Sequence, residues 1–189
     1  IDCRIFVADP QTEIFESFYS EKNITPIELD LLESIENGSH LEINQKFDFI
    51  ALCEVFEHLT GDLIATTRKL VELLAPGGLL YVTSPNLRSA SGVSSMLTQH
   101  SGIPSKDPES VYDQYHKFSQ YGYFGHVREY TATEVIDFFS KFGLKKLDVS
   151  MMPDYRERHS QPPLTKLAKS LEFVLPESGL FGKYLFKKV

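Results

Sequence analysis

Glu54, Glu57 and His58 follow directly on an apolar run, Phe47 to Cys53, in the segment FDFIALCEVFEHL. A carboxylate and an imidazole on a strand-to-helix loop can position an amine, orient a hydroxyl or remove its proton, because histidine titrates near neutrality. The same residues also suit the first turn of a helix with no chemical role. A second group, Gly125-His126-Val127-Arg128-Glu129-Tyr130, brings an imidazole, a guanidinium and a phenol onto one loop. Such a loop can close over a ligand, or Arg128 can simply pair with a nearby Glu. Asp9 ends an earlier apolar run, where a carboxylate can accept two hydrogen bonds from a ribose diol or cap a helix opened by Pro10. Asp30 ends the next run and can accept from an adenine amino group or sit in an exposed turn. No metal is expected: His58, His126 and the carboxylates lack compact ligand spacing such as HExxH or paired CxxC. GxSxG and P-loop signatures are also missing.

These residues need elements to hold them. Cys3 to Ala8 reads as a strand ending at Asp9-Pro10, and Gln11 to Lys22 as a short helix with Ile14, Phe15, Phe18 and Tyr19 at helical spacing. Ile24 to Leu31 alternates like a half-exposed strand, Asn37-Gly38-Ser39 is a turn, and Phe47 to Cys53 is a buried central strand. Gly61 to Leu74 is an amphipathic helix stopped by Pro76-Gly77-Gly78, and Leu79 to Thr83 is a second buried strand. Strand, helix, strand in this rhythm makes a parallel βαβ unit with a right-handed crossover. Ligands of open α/β sheets bind just beyond the carboxyl ends of the strands, where Glu54, Glu57 and His58 fall.

Asn86 to Gly125 is rich in Ser, Gly, Pro and aromatic residues with weak periodicity, and reads as a long irregular insertion. Thr131 and Glu134 form a capping box before a helix that runs to about Gly143. Lys145 to Met151 alternates like a strand, Pro153 to Pro163 is polar and proline-rich, Leu164 to Val174 is helical, and Tyr184 to Phe186 begins a short strand.

With 189 residues, 42% hydrophobic residues, 14 Phe and 9 Tyr, the chain can fill the core of one domain. A net charge of -7 argues against non-specific binding to nucleic acid or an anionic membrane and favours small-molecule partners. Cys3 and Cys53 lie in apolar runs and read as core thiols in a reducing compartment. Without an apolar run long enough to span a bilayer or an opening signal peptide, the chain reads as cytoplasmic. The sequence leaves its oligomeric state open.

FDFIALCEVFEHL, LLAPGGLLYVTSPN and GHVREYTATEVIDFFSKFGL, in this order, resemble the methyltransferase-domain group of class I S-adenosylmethionine-dependent methyltransferases, over roughly Phe6 to Val149. The resemblance implies a Rossmann-like α/β fold, a mostly parallel sheet with helices on both faces, in strand order 3-2-1-4-5-7-6 with the last strand antiparallel. It implies S-adenosyl-L-methionine as cofactor and a small-molecule methyl acceptor. Asp9 matches the ribose-binding acid, Asp30 with Leu31 the adenine-contacting pair, and Leu52, Cys53 and Glu54 the segment beside the methionine moiety. His58 and His126 fall on substrate-facing loops as candidate catalytic residues. The family's first strand and glycine-rich loop have no counterpart in this sequence. The chain is therefore expected to be an N-terminally truncated single domain, 1–189, with substrate-region insertions at about 86–130 and 153–180, binding cofactor weakly unless the rest is supplied. The alternatives are a degenerate non-catalytic binding module and an NAD-dependent oxidoreductase, since Asp9 also suits an NAD ribose.

Overall fold

The computed structural model of the protein describes residues 3–29, 31, 43–59, 61–99, 111–121, 125–153, 163–175 and 178–189. Strand β1 (Ile5–Asp9) leads through a 3-10 turn (Thr12–Phe15) into helix α1 (Glu16–Glu21) and parallel strand β2 (Ile24–Glu28). Strand β3 (Phe47–Cys53), helix α2 (Leu63–Leu73) and strand β4 (Leu74–Pro85) form the expected parallel βαβ unit. Helices α3 (Ala90–Gln99), α4 (Val111–Tyr121) and α5 (Ala132–Ser140) follow. Strand β5 (Leu144–Met152), helix α6 (Pro163–Glu172) and strand β6 (Phe181–Lys188) complete the chain.

Among the described residues the strands form two sheets, β1-β2 and β3-β4-β6-β5. Only β6 runs against its neighbours, inserted antiparallel between β4 and β5. This order matches the 4-5-7-6 half of the expected topology. In β4 the alternate residues Leu80 and Val82, and in β6 Tyr184 and Phe186, have no exposed surface. They share one core with Leu70 and Val71 of α2 and Val135 and Phe139 of α5. Both helices are set by side-chain caps. Asp62 accepts from the amides of Ile64 and Ala65 at 3.0 and 2.9 Å, and the Thr131–Glu134 capping box is complete.

Several elements depart from the sequence reading. Strand β4 starts at Leu74, and Pro76-Gly77-Gly78 forms an irregularity within it, between the Phe47↔Leu74 and Phe49↔Leu79 pairs. A side chain at Gly78 would meet the Ala75 and Phe47 carbonyl oxygens at 2.9 and 3.1 Å, so the bulge requires glycine. The 86–125 stretch holds α3 and α4, whose apolar residues do fall at helical spacing, Val93, Met96 and Leu97 in one and Val111, Tyr115 and Phe118 in the other, inside a segment whose Ser, Gly and Pro content reads as irregular. Cys3 and Cys53 are exposed rather than buried in the core. No described strand pairs with β3 on the side away from β4, and on the sheet face opposite Leu52 the side chains of Phe49 (53% accessible), Ala51 and Cys53 are exposed. Residues Asn37 to Ser39 and most of the polar 153–163 stretch lie outside the described residues.

Candidate active site

The site is built where β3 ends. Leu52 anchors the strand in the core, Cys53 emerges from it, and Glu54 reverses the chain in a left-handed conformation, φ 55°. That conformation costs a non-glycine residue on the order of 1 kcal/mol, and it is held by hydrogen bonds from the Glu54 amide to the Thr83 carbonyl and hydroxyl oxygens, both at 3.1 Å. The chain then enters a 3-10 turn, Phe56–His58. Phe56 plugs the core against the rings of Tyr130, Phe139 and Phe138, at centroid distances of 4.6, 5.2 and 5.4 Å. With Phe56 pinned, Glu57 is carried inside.

The 125–130 loop is tied onto this turn. The Val127 amide donates to the Glu57 carbonyl at 2.8 Å, and the Leu87 amide to the Tyr130 carbonyl at 3.0 Å. As a result His58 and His126 meet edge to face with ring centroids 4.7 Å apart. Nδ1 of His58 lies 2.9 Å from the Gly125 carbonyl oxygen, and Nδ1 of His126 lies 3.1 Å from Oε1 of the buried Glu129. Both Nε2 atoms turn toward Glu57, at 3.8 and 3.9 Å from its Oε1. The Glu57 side chain is inaccessible to solvent, and neither of its oxygens has a hydrogen-bond partner. Burial pushes its carboxyl up to about 8; its own backbone amide works against the shift, and the Glu54 and Glu129 charges add to it. Carboxyl and imidazole groups assembled this way can hold and exchange a proton near neutral pH.

The structure thus brings His58 and His126 together with Glu57 and Glu129. Glu57 stands out in the sequence beside His58 at a strand end, whereas Glu129 does not: in sequence it is only a possible partner for Arg128. Arg128 takes the scaffold option, pairing with Glu134 and lying 5.1 Å from the Tyr130 ring centre. Asp9 sits apart at the end of β1, where its Oδ1 accepts from the Gln11 amide at 2.7 Å in a local turn. Leu31 is half-buried against the core, and Asp30 lies outside the described residues. An adenosyl cofactor finds fitting chemistry here. Asp9 offers acceptors for ribose hydroxyls, Leu31 an apolar surface for a base, and Glu54 an acceptor for an ammonium group.

An open α/β sheet with a single inserted antiparallel strand, and polar chemistry at the carboxyl end of β3, defines the class I methyltransferase fold. The family model described as methyltransferase domain matches residues 4–149, and the chain belongs to that family, whose class I members use S-adenosylmethionine. No curated protein is significantly similar to it in sequence. Solved structures similar in fold include the N-methyltransferase NodS from Bradyrhizobium japonicum WM9, in complex with S-adenosylhomocysteine, at 14% identity and TM-score 0.51. It is matched over 98% of this chain and 66% of its own. S-adenosylmethionine-dependent methyltransferases from Thermotoga maritima (13% identity, TM-score 0.57) and Mesorhizobium loti (14%, 0.55) are also similar. Each is matched over 98% of this chain, and over 73% and 80% of its own respectively. The chain therefore spans between about two thirds and four fifths of these structures. Among the described residues no helix is long and apolar enough to cross a membrane.

Proposed function

We propose that the chain serves S-adenosylmethionine-dependent methyl transfer to an oxygen or nitrogen of a small-molecule acceptor in the cytoplasm. The observation that carries this reading is the joining of His58 and His126 over buried Glu57 at the carboxyl end of β3, in a chain of this family. Asp9, Asp30 and Leu31 serve the adenosine end of the cofactor, and Leu52, Cys53 and Glu54 the methionine end. His58 and His126 face the acceptor, and an imidazole there takes the acceptor's proton as the methyl group moves. The chain acts as one domain, 1–189, with 86–130 and 153–180 lining the acceptor side. The net charge of -7 favours a small molecule over nucleic acid.

No described strand lies between β1 and β3, so the two halves of the cofactor site lack a common support. We expect calorimetry on this chain to give S-adenosylhomocysteine binding weaker than micromolar, reduced about tenfold or more by Asp9→Asn through loss of a charged acceptor. NAD should give no heat. Micromolar S-adenosylhomocysteine binding would contradict the weakness expected from the open edges, and NAD binding of equal strength would contradict the methyltransferase reading.

A further inference from the structure

The arrangement of Glu57, His58 and His126 fits more than proton transfer. The Gly125 carbonyl can only accept, so the hydrogen of a neutral His58 is assigned to Nδ1. The Glu129 carboxylate makes the same assignment for His126. In both neutral rings the lone pair then sits on Nε2, the nitrogen turned toward Glu57. Two lone pairs therefore converge on a carboxylate oxygen that is fully buried and has no hydrogen-bond donor. At 3.8 and 3.9 Å these contacts are too long for hydrogen bonds. They are only slightly longer than the roughly 3.4 Å between two ligand atoms each bound about 2.1 Å from a tetrahedral cation.

We propose that Glu57, His58 and His126 form a site for one divalent first-row transition-metal cation of the zinc type. The three ligand atoms lie within 4.8 Å of one another. Imidazole and carboxylate donors suit zinc and its neighbours better than magnesium or calcium. The outer contacts are those such sites use: His126 is held from behind by the Glu129 carboxylate and His58 by a backbone carbonyl, which fix tautomer and ring orientation. Three protein ligands leave a coordination position open, and His58, with 28% of its side chain accessible, marks the solvent side. With the ion in place the two Nε2 lone pairs hold metal instead of a proton, and the open position takes an oxygen or nitrogen donor of the acceptor. Cation binding stands on these residues alone; only the acceptor's use of the open position rests on the methyl-transfer reading.

The test is metal binding by the chelator-stripped chain, carried in a Cys3→Ser, Cys53→Ser background so that exposed thiols do not compete. Zinc titration should give one equivalent bound, and cobalt should give the visible d–d bands of a four- or five-coordinate site. Glu57→Gln and His126→Ala should each weaken binding by at least a hundredfold. Glu129→Gln, which touches no metal, should weaken it about 10- to 100-fold. Circular dichroism shows whether each variant is folded, and Glu57→Gln keeps the side chain's shape while removing its charge. Failure of the folded chain to bind, or stoichiometric binding unchanged in Glu57→Gln and His126→Ala, would overturn the proposal. Stoichiometric, variant-sensitive binding without any effect of zinc on methyl transfer by the full protein would support the site and sink only its role toward the acceptor.

Discussion

The two sheets are both built from strands with apolar residues at intervals, and they reach very different degrees of burial. In β3-β4-β6-β5 the inner strands have neighbours on both edges and helices α2 and α5 over one face, and Leu80, Val82, Tyr184 and Phe186 are fully enclosed. In β1-β2 each strand has one described neighbour, and Ile5 stays 48% accessible, with Phe15 and Phe18 of the adjoining turn and helix at 50% each. The contact of the Phe6 and Phe47 rings, at 5.5 Å, reaches from one sheet to the other. Apolar patterning determines which residues form strands, but burial depends on what flanks those strands. The Glu57, His58 and His126 cluster sits at the end of the well-supported sheet, while Asp9 sits on the poorly supported one.

Substitutions on the two sides should separate these regions sharply. Phe186→Ala removes an enclosed ring that packs on Phe139 at 5.1 Å, and should cost about 3–5 kcal/mol in urea unfolding. A loss below about 1 kcal/mol would mean that the four-stranded core is not what holds the chain together. The next effect concerns Glu57 in the metal-free protein. Its folded carboxyl is raised to about 8 from an ordinary 4.5, so between these pH values the folded state holds a proton that the unfolded state has lost. Its contribution to stability therefore falls as pH rises from about 4.5 to about 8. Glu57→Gln should flatten that fall, as read from melting temperatures across this range; an unchanged slope would place the titration elsewhere. The smallest effect is expected on the open side: Ile5→Ala should change stability by less than about 0.5 kcal/mol, because its side chain is already half in water.

Much of the framework was legible because its signals are local. The apolar run Phe47 to Cys53 gave its strand with the right bounds, and Thr131 with Glu134 announced a capped helix. The edges of β4 were not legible, since Pro76-Gly77-Gly78 reads as a stop signal and only the facing Phe47 carbonyl shows why it is a bulge. Helices α3 and α4 were hidden by the Ser, Gly and Pro residues around them, although Val93, Met96 and Leu97, and Val111, Tyr115 and Phe118, fall at helical spacing. At the site, His58 and His126 could be named singly, yet nothing in the sequence joins His58 to a loop 67 residues away through the Gly125 carbonyl. Glu57 and Glu129 gained their roles from burial, which adjacent residues alone do not encode. Cys53 reads as a core thiol from its apolar neighbours and is exposed because it shares a face of β3 with Phe49 and Ala51, opposite the face that carries Leu52 into the core.

Amide hydrogen exchange with and without saturating S-adenosylhomocysteine tests the central claim most directly, that the carboxyl ends of β1 and β3 are the two halves of one methyltransferase cofactor site. Without ligand, amides of β4 and β6 should be strongly protected and those of β1 weakly. With millimolar S-adenosylhomocysteine, the Ala8–Asp9 and Leu52–Glu54 amides should slow together while β4 and β6 stay unchanged, and NAD should leave all of them as they were. Protection gained at only one of the two strand ends, at neither, or equally with NAD would contradict it.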